Sequence, residues 1–274
     1  MLSSNQIKEF QENGVLVIRD FYDYEADIKP IQLAIYKIIG IIIQKYSLNI
    51  KREEFNGSNF DRGFMEILKY DRKYISEIYD AVKLIPSFIR LSSKKEHELI
   101  ANEIFNSDLS GTVMAGIRID LPHEEKYRSF WHQEYPAQLR SKEGIVLWSP
   151  LVKVLKEMGP VEVLVGSHKE GILPVVVDDS NDRTGAYTLR LHNEDKLLSK
   201  YDTAAPLSDP TDLIILDWLV VHQSGVNSSN KARWSMQMRY FNFKEPTGQS
   251  IAWSGSYAEG KNFQDIHSEL LQKG

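Results

Sequence analysis

The sequence predicts a mainly β fold, a sandwich or barrel, with a largely helical N-terminal third leaning on it. Three observations carry that expectation. Before Asp108, apolar residues recur at helical spacing. After it the texture changes to short β-rich runs, and Gly, Pro, Asn and Ser separate those runs. Many short strands with turn signals between them point to a closed or two-layered β architecture.

The elements follow in order. Ser3 or Ser4 is placed to cap a short helix through Phe10, with Gln6 or Glu9 near its first turn. Gly14 ends that helix, and the β-branched run 15–18 reads as a strand. From Tyr24 to about Tyr46, Ile31, Leu33, Ile35, Ile38, Ile39, Ile42 and Ile43 recur at roughly helical spacing. A second helical zone runs from Phe64 to Phe105, broken near Pro86. Strands are expected at 112–119, 144–148, 161–165, 173–177, 212–218 and 234–243. Residues 178–210 are charged and turn-rich, with some helix near 194–200; they read either as a lid or as a solvated excursion.

At 274 residues the chain is expected to form one domain: 1–109 largely helical, 110–243 a β core, and 244–274 a C-terminal tail. The net charge of −5 argues against a nucleic-acid footprint, which would show as a basic stripe. Cysteine is absent, which excludes disulfide scaffolds, thiolate metal sites and Cys nucleophiles, and leaves any metal to His and carboxylate. The polar start of the chain shows no secretory leader, and the apolar run 39–43 is far shorter than the ~20 residues a spanning helix needs. A soluble, cytoplasmic protein without membrane insertion is expected.

The most informative residues are His132, Glu134 and His222. Two imidazoles and one carboxylate form the set that binds non-haem Fe(II) and leaves positions open. On a strand, His132 and Glu134 would project to one side while Gln133 faces away. Alone, an H-x-E triplet is weak. Arg233, Ser235 and Gln237 would share the inward face of a strand over 232–240, and a buried guanidinium needs a carboxylate. That partner is either a ligand, held with help from Ser235, or a protein acid such as Asp212 or Asp217.

Three segments together resemble the phytanoyl-CoA dioxygenase family. They are Trp131-His132-Gln133-Glu134, the stretch from Met158-Gly159-Pro160 through Gly166-Ser167-His168 to Leu173-Pro174, and His222-Gln223-Ser224-Gly225 continuing to Arg233. The resemblance covers roughly 110–243, with an echo at 10–18. It implies a double-stranded β-helix, a cupin-like jelly roll with helices packed on one sheet. It also implies Fe(II) on His132, Glu134 and His222, with 2-oxoglutarate and O2 as cosubstrates. By the same resemblance Arg233 holds the distal carboxylate of 2-oxoglutarate, Ser235 assists it, and Trp148 forms an aromatic wall, with core packing as the alternative for Trp148. The family usually has Asp where this chain has Glu134. A halogenase would lack the carboxylate, so Glu134 speaks against halogenation.

Hydroxylation of a small or carrier-linked metabolite is the implied reaction; desaturation, ring closure or epimerisation would use the same chemistry. Competing readings are a cupin-like metalloenzyme without 2-oxoglutarate, which would not need Arg233, and an inert small-molecule or sugar binder, which would show a broken triad. Arg118, His123, Gln133 and Tyr135 are the substrate-side candidates, and Lys94, Lys95, Lys126 and Arg128 the basic residues that a coenzyme A ester would want. His168 reads as a structural turn. The tail 251–257, with Trp253 and Tyr257, would cover either the pocket or an interface.

Overall fold

Ser3 caps the first helix, α1 (Ser4–Asn13): its hydroxyl accepts from the Gln6 backbone, and the Gln6 side chain returns to the Ser3 N–H. Gly14, at φ 69°, closes α1 and turns the chain into β1 (Val15–Ile18). The computed structural model describes residues 1–178, 188–256 and 262–272. The predicted helix over 24–46 begins as one π-turn (Tyr24–Ile28), and Pro30 lies in the first turn of α2 (Lys29–Lys45). Ile31, Ile35, Ile39 and Ile42 form its buried stripe.

The second helical zone is four helices rather than one interrupted helix: α3 (Phe64–Leu68), α4 (Arg72–Val82), α5 (Pro86–Ser92) and α6 (Lys95–Phe105). Asp71 caps α4 through the Lys73 N–H, and Pro86 starts α5, where its missing N–H costs nothing. Periodicity alone cannot see such short breaks.

The chain then builds two facing antiparallel sheets. The larger contains β2 (Ser110–Asp120), β3 (Gly144–Pro150), β8 (Leu213–Asp217) and β10 (Arg233–Asn242) in the order β1-β8-β3-β10-β2. The smaller joins β4 (Val161–Leu164), β7 (Thr203–Ala204) and β9 (His222–Ser224) in the order β7-β4-β9. A further pair links β5 (Val175–Val177) to β6 (Leu189–Leu191). This is a jelly roll of the double-stranded β-helix type, with the N-terminal helices on the outer face of the larger sheet.

Alternation along the strands explains both layers. Ile145, Leu147, Leu213, Ile215, Trp234, Met236 and Met238 face the helices, where they meet Ile31, Phe64, Ile78 and Phe88. Their neighbours Val146, Trp148, Ile214 and Leu216 face the interior between the sheets, with Val161 and Val163. Gly159 and Gly225 pack backbone to backbone: a Cβ on Gly159 would lie 2.4 Å from the Gly225 carbonyl oxygen. That approach ties the Met158-Gly159-Pro160 stretch to the strand carrying His222.

Of residues 178–210, residues 179–187 lie outside the described part; the rest forms β6, α8 (Glu194–Lys200) and β7. The tail adds α9 (Pro246–Ser250) and α10 (Phe263–Ile266), and Leu271 bridges to Val175. Trp253 is exposed and donates to the Phe243 carbonyl, whereas Tyr257 lies outside the described residues. Among the described residues, no helix is long and apolar enough to cross a membrane.

Candidate metal centre

His132 and His222 face each other as a bridge between two short backbone segments, each N–H donating to the other's carbonyl at 3.0 Å. Their rings lie 4.3 Å apart. Each ring is oriented by its own chain: Nδ1 of His132 meets the Phe130 carbonyl at 2.7 Å, and Nδ1 of His222 meets the Val220 carbonyl at 3.0 Å. A carbonyl only accepts, so Nδ1 carries the proton and Nε2 presents its lone pair in both rings. Burial, and then the neighbouring His132, push the His222 imidazole down to about 3, so it stays neutral and ligating.

Glu134 completes the group, but not from a strand. It stands in α-helical backbone at φ −70° as the cap of α7 (Tyr135–Gln138), and its N–H donates to the Trp218 carbonyl at 2.9 Å. The expected strand geometry for the triplet is therefore wrong: Pro136 in the first turn starts a helical turn directly after His132. The carboxylate still reaches the imidazoles. Its Oε2 lies 3.8 Å from Nε2 of His132 and 3.9 Å from Nε2 of His222, and one donor atom from each residue falls within 4.8 Å of the others. The other oxygen, Oε1, accepts from Arg239 Nε at 2.6 Å and Gln138 Nε2 at 2.7 Å. Burial alone would raise this carboxyl, but the Arg239 guanidinium beside it outweighs burial and holds Glu134 well below the usual carboxylate range.

A cavity between the sheets opens onto this group, walled by Trp148, Val161, Gln223, Gln237 and Arg239. At the start of β10, Arg233 and Ser235 share the face of Gln237 and Arg239 by strand alternation, although neither is among the residues that line this cavity. Arg233 is 1% exposed and donates from Nη2 to Asp120 Oδ2 at 2.7 Å. The protein acid beside it is Asp120, directly opposite on β2, and not Asp212 or Asp217. Asp120 also accepts from Arg118 Nε at 2.8 Å. Burial works against its charge, yet the two guanidinium groups hold its carboxyl down at about 2. Arg233 Nε and Nη1 and the Ser235 hydroxyl are buried with no hydrogen-bond partner among the described residues. Orphaned donors of this kind fit a ligand carboxylate.

The substrate-side candidates fare differently. Arg118 lines the cavity, although its Nε and Nη2 already serve Asp120 and the Tyr127 carbonyl. Gln133 also lies at the cavity, but its amide is used on backbone: Nε2 donates to Gly171 and Leu219, and Oε1 accepts from Leu173. It braces loops, with both amide hydrogens engaged on backbone carbonyls. Tyr135 is fully buried in the core, its hydroxyl 2.9 Å from His267 Nε2, because the turn at Glu134 swings it away from the cavity. His123 is an exposed loop residue at φ 57° and does not line the cavity. His168 sits in a turn, its Nε2 3.1 Å from the Gln11 carbonyl of α1, apart from the His132–Glu134–His222 group. Lys94 pairs with Asp27 in the helical layer, while Arg128 reaches Gln223 beside the cavity.

Arg239, Gln138 and Asp120 were not singled out from the sequence. Strand alternation carries Arg239 onto the same face as Arg233, so one signal for it was present. Nothing local marks Asp120 or Gln138.

A family model described as Phytanoyl-CoA dioxygenase (PhyH) matches residues 10–235. The Phytanoyl-CoA dioxygenase domain-containing protein 1 homolog of Dictyostelium discoideum is 27% identical over 266 residues, covering 87% of this chain and 91% of that protein. Among solved structures, AviO1 from Streptomyces viridochromogenes Tue57 is similar with a TM-score of 0.56 at 15% identity, covering 89% of this chain and 96% of that one. The epimerase SnoN, solved with Fe3+, alpha ketoglutarate and nogalamycin RO, gives 0.56 at 14% identity over 94% and 91%. The carbocyclase SnoK gives 0.56 at 12% identity over 96% and 95%. At these identities the structures speak for the fold.

Proposed function

Because this chain belongs to the phytanoyl-CoA dioxygenase family, and with it to the oxygenases that use iron and 2-oxoglutarate, we propose that it hydroxylates an unactivated C–H of a small or carrier-linked metabolite. The observation that carries the metal reading is the convergence of two Nε2 lone pairs and one carboxylate oxygen in the lining of a cavity. A donor set of two imidazoles and one carboxylate suits Fe(II) and leaves room for further ligands. The observation that carries the cosubstrate reading is Arg233, with two orphaned donors beside the orphaned Ser235 hydroxyl. A cupin-like enzyme without 2-oxoglutarate has no use for that buried surplus of donors.

Iron bound at this site with 2-oxoglutarate and O2 supplies the oxidation that yields succinate, carbon dioxide and a hydroxylated product. The chain supplies the rest. His132, Glu134 and His222 hold the ion, each fixed from behind by a hydrogen bond. Arg233 and Ser235 take the far carboxylate of the cosubstrate, and Asp120 keeps the Arg233 guanidinium in place. Trp148, Val146, Val161 and Leu216 keep water from the cavity wall.

The test is a panel of metabolites, free acids and coenzyme A esters included, each assayed for stimulated succinate release, with the product weighed by mass spectrometry. Hydroxylation requires a product heavier by one oxygen atom. A product of unchanged mass, or one lighter by two hydrogens, would assign epimerisation or desaturation instead.

A further inference from the structure

The carboxylate of Glu134 is held asymmetrically, and the holder lies on another strand. Arg239 Nε donates to Oε1 at 2.6 Å, and Arg239 Nη2 donates to Gln237 Oε1 at 2.9 Å. The guanidinium is thus fixed on both sides, by the carboxylate and by its own strand neighbour. Between Gln237 and Arg239 the β10–β2 register shifts by one residue, while the pairing with β3 stays regular. Such a shift adds local twist and re-aims the side chains beside it. Gln138 Nε2 adds a second donor to the same oxygen at 2.7 Å. With Oε1 doubly engaged, Oε2 is the oxygen directed at the two imidazoles.

We propose that Arg239 is a positioning residue for the metal: by pinning one oxygen of Glu134 it makes that carboxylate a single-oxygen ligand and fixes how far the long glutamate side chain extends. The proposal rests on the metal reading above. A glutamate has one more rotatable bond than an aspartate, so left free it samples several positions and can offer both oxygens. The Arg239 fork removes that freedom. Its positive charge also balances a carboxylate that is 5% exposed. Glutamate rather than aspartate is then required at this position, because a side chain one methylene shorter cannot keep one oxygen on Arg239 while giving the other to the metal.

The experiment uses Mn(II) alone as probe, with free and bound ion separated by electron paramagnetic resonance. Relative to the parent, Arg239→Met should weaken Mn(II) binding by about 10- to 100-fold, the usual cost of removing a residue that orients a ligand. The bound-ion line shape should change as well, because the freed carboxylate offers both oxygens. Arg239→Lys should fall between the two. Glu134→Asp, with Arg239 intact, should also bind more weakly than the parent, and should cost less in an Arg239→Met background. Folding is followed in each variant by circular dichroism and urea melting. A folded Arg239→Met protein with the parent's affinity and line shape overturns the proposal. So does a Glu134→Asp protein that binds as tightly as the parent, and that comparison decides even if Arg239→Met does not fold. A parent that binds no Mn(II) would instead remove the metal reading itself.

Discussion

A histidine side chain ligates only through a nitrogen that has no proton, and in this chain the backbone two residues earlier makes that choice for both imidazoles. The identities of His132, Glu134 and His222 were legible in the sequence; the helical turn that presents Glu134 was not, because Pro136 lies two residues beyond the triplet. Likewise Tyr135 and Gln133, read as substrate-side residues, are a core tyrosine bonded to His267 and a backbone brace. Their partners lie far along the chain and leave no local trace. Arg233 carries a prediction at this scale. Its Nη2 serves Asp120 while Nε and Nη1 are orphaned, so the residue needs a planar fork rather than a point charge. Arg233→Lys should therefore lose a charge-assisted hydrogen bond, on the order of 1.5–3 kcal/mol, and raise the 2-oxoglutarate Kd about 10- to 100-fold. Anaerobic calorimetry with metal present measures it, and an unchanged Kd would remove Arg233 from the cosubstrate site.

The elements divide by length. Long ones such as α2 and β10 show their period in the sequence, whereas β6, β7 and β9 hold two or three residues each and have no period to show. That is why the strand bearing His222 was seen only as the end of an apolar run. Two buried groups fix how elements respond to acid. His97 of α6 is held by the Tyr22 hydroxyl at 2.9 Å, and burial, then Lys94, push it down to about 4. Below pH ~6.5 the unfolded chain protonates this histidine while the folded one does not, so acidification to pH 4 removes on the order of 3 kcal/mol of stability. Asp217, ending β8, acts in reverse. Burial raises its carboxyl to about 6 despite the Leu219 N–H bond at 2.7 Å. Its contribution is present in full below about pH 4 and is lost as pH rises through 6. The two slopes oppose each other across pH 4–6. His97→Gln should leave the Asp217 slope uncovered, so that its stability relative to the parent rises on acidification from pH 6.5 to 4. Asp217→Asn should show the opposite trend. Urea melts at stepped pH test both, and parallel curves for parent and His97→Gln would refute the assignment to His97.

At the scale of the whole molecule, the division into a helical layer and a β body was readable because it depends on period and turn residues. The way the body closes was not, since it depends on contacts between distant segments: the Gly159–Gly225 backbone contact, His132 against His222, and Asp120 against Arg233. The candidate site sits where those contacts meet, drawing His132 and Glu134 from the segment before α7, His222 from β9, and the buried donors of Arg233 and Ser235 from β10. Filling it should therefore stabilise the fold as a unit. A ligand at about 100 times its Kd adds about 2.7 kcal/mol, which for a chain of this size raises Tm by about 5 °C. Mn(II) should produce such a rise by itself, and 2-oxoglutarate should add a second rise only when the metal is present, because its keto-acid end needs the ion. A chelator should abolish both. His222→Ala should lose both increments, whereas Arg233→Ala should keep the metal increment and lose the one from 2-oxoglutarate. Thermal melts of parent and variants separate these outcomes. An equal 2-oxoglutarate increment in chelator would mean that the acid binds somewhere other than beside the His132–Glu134–His222 group.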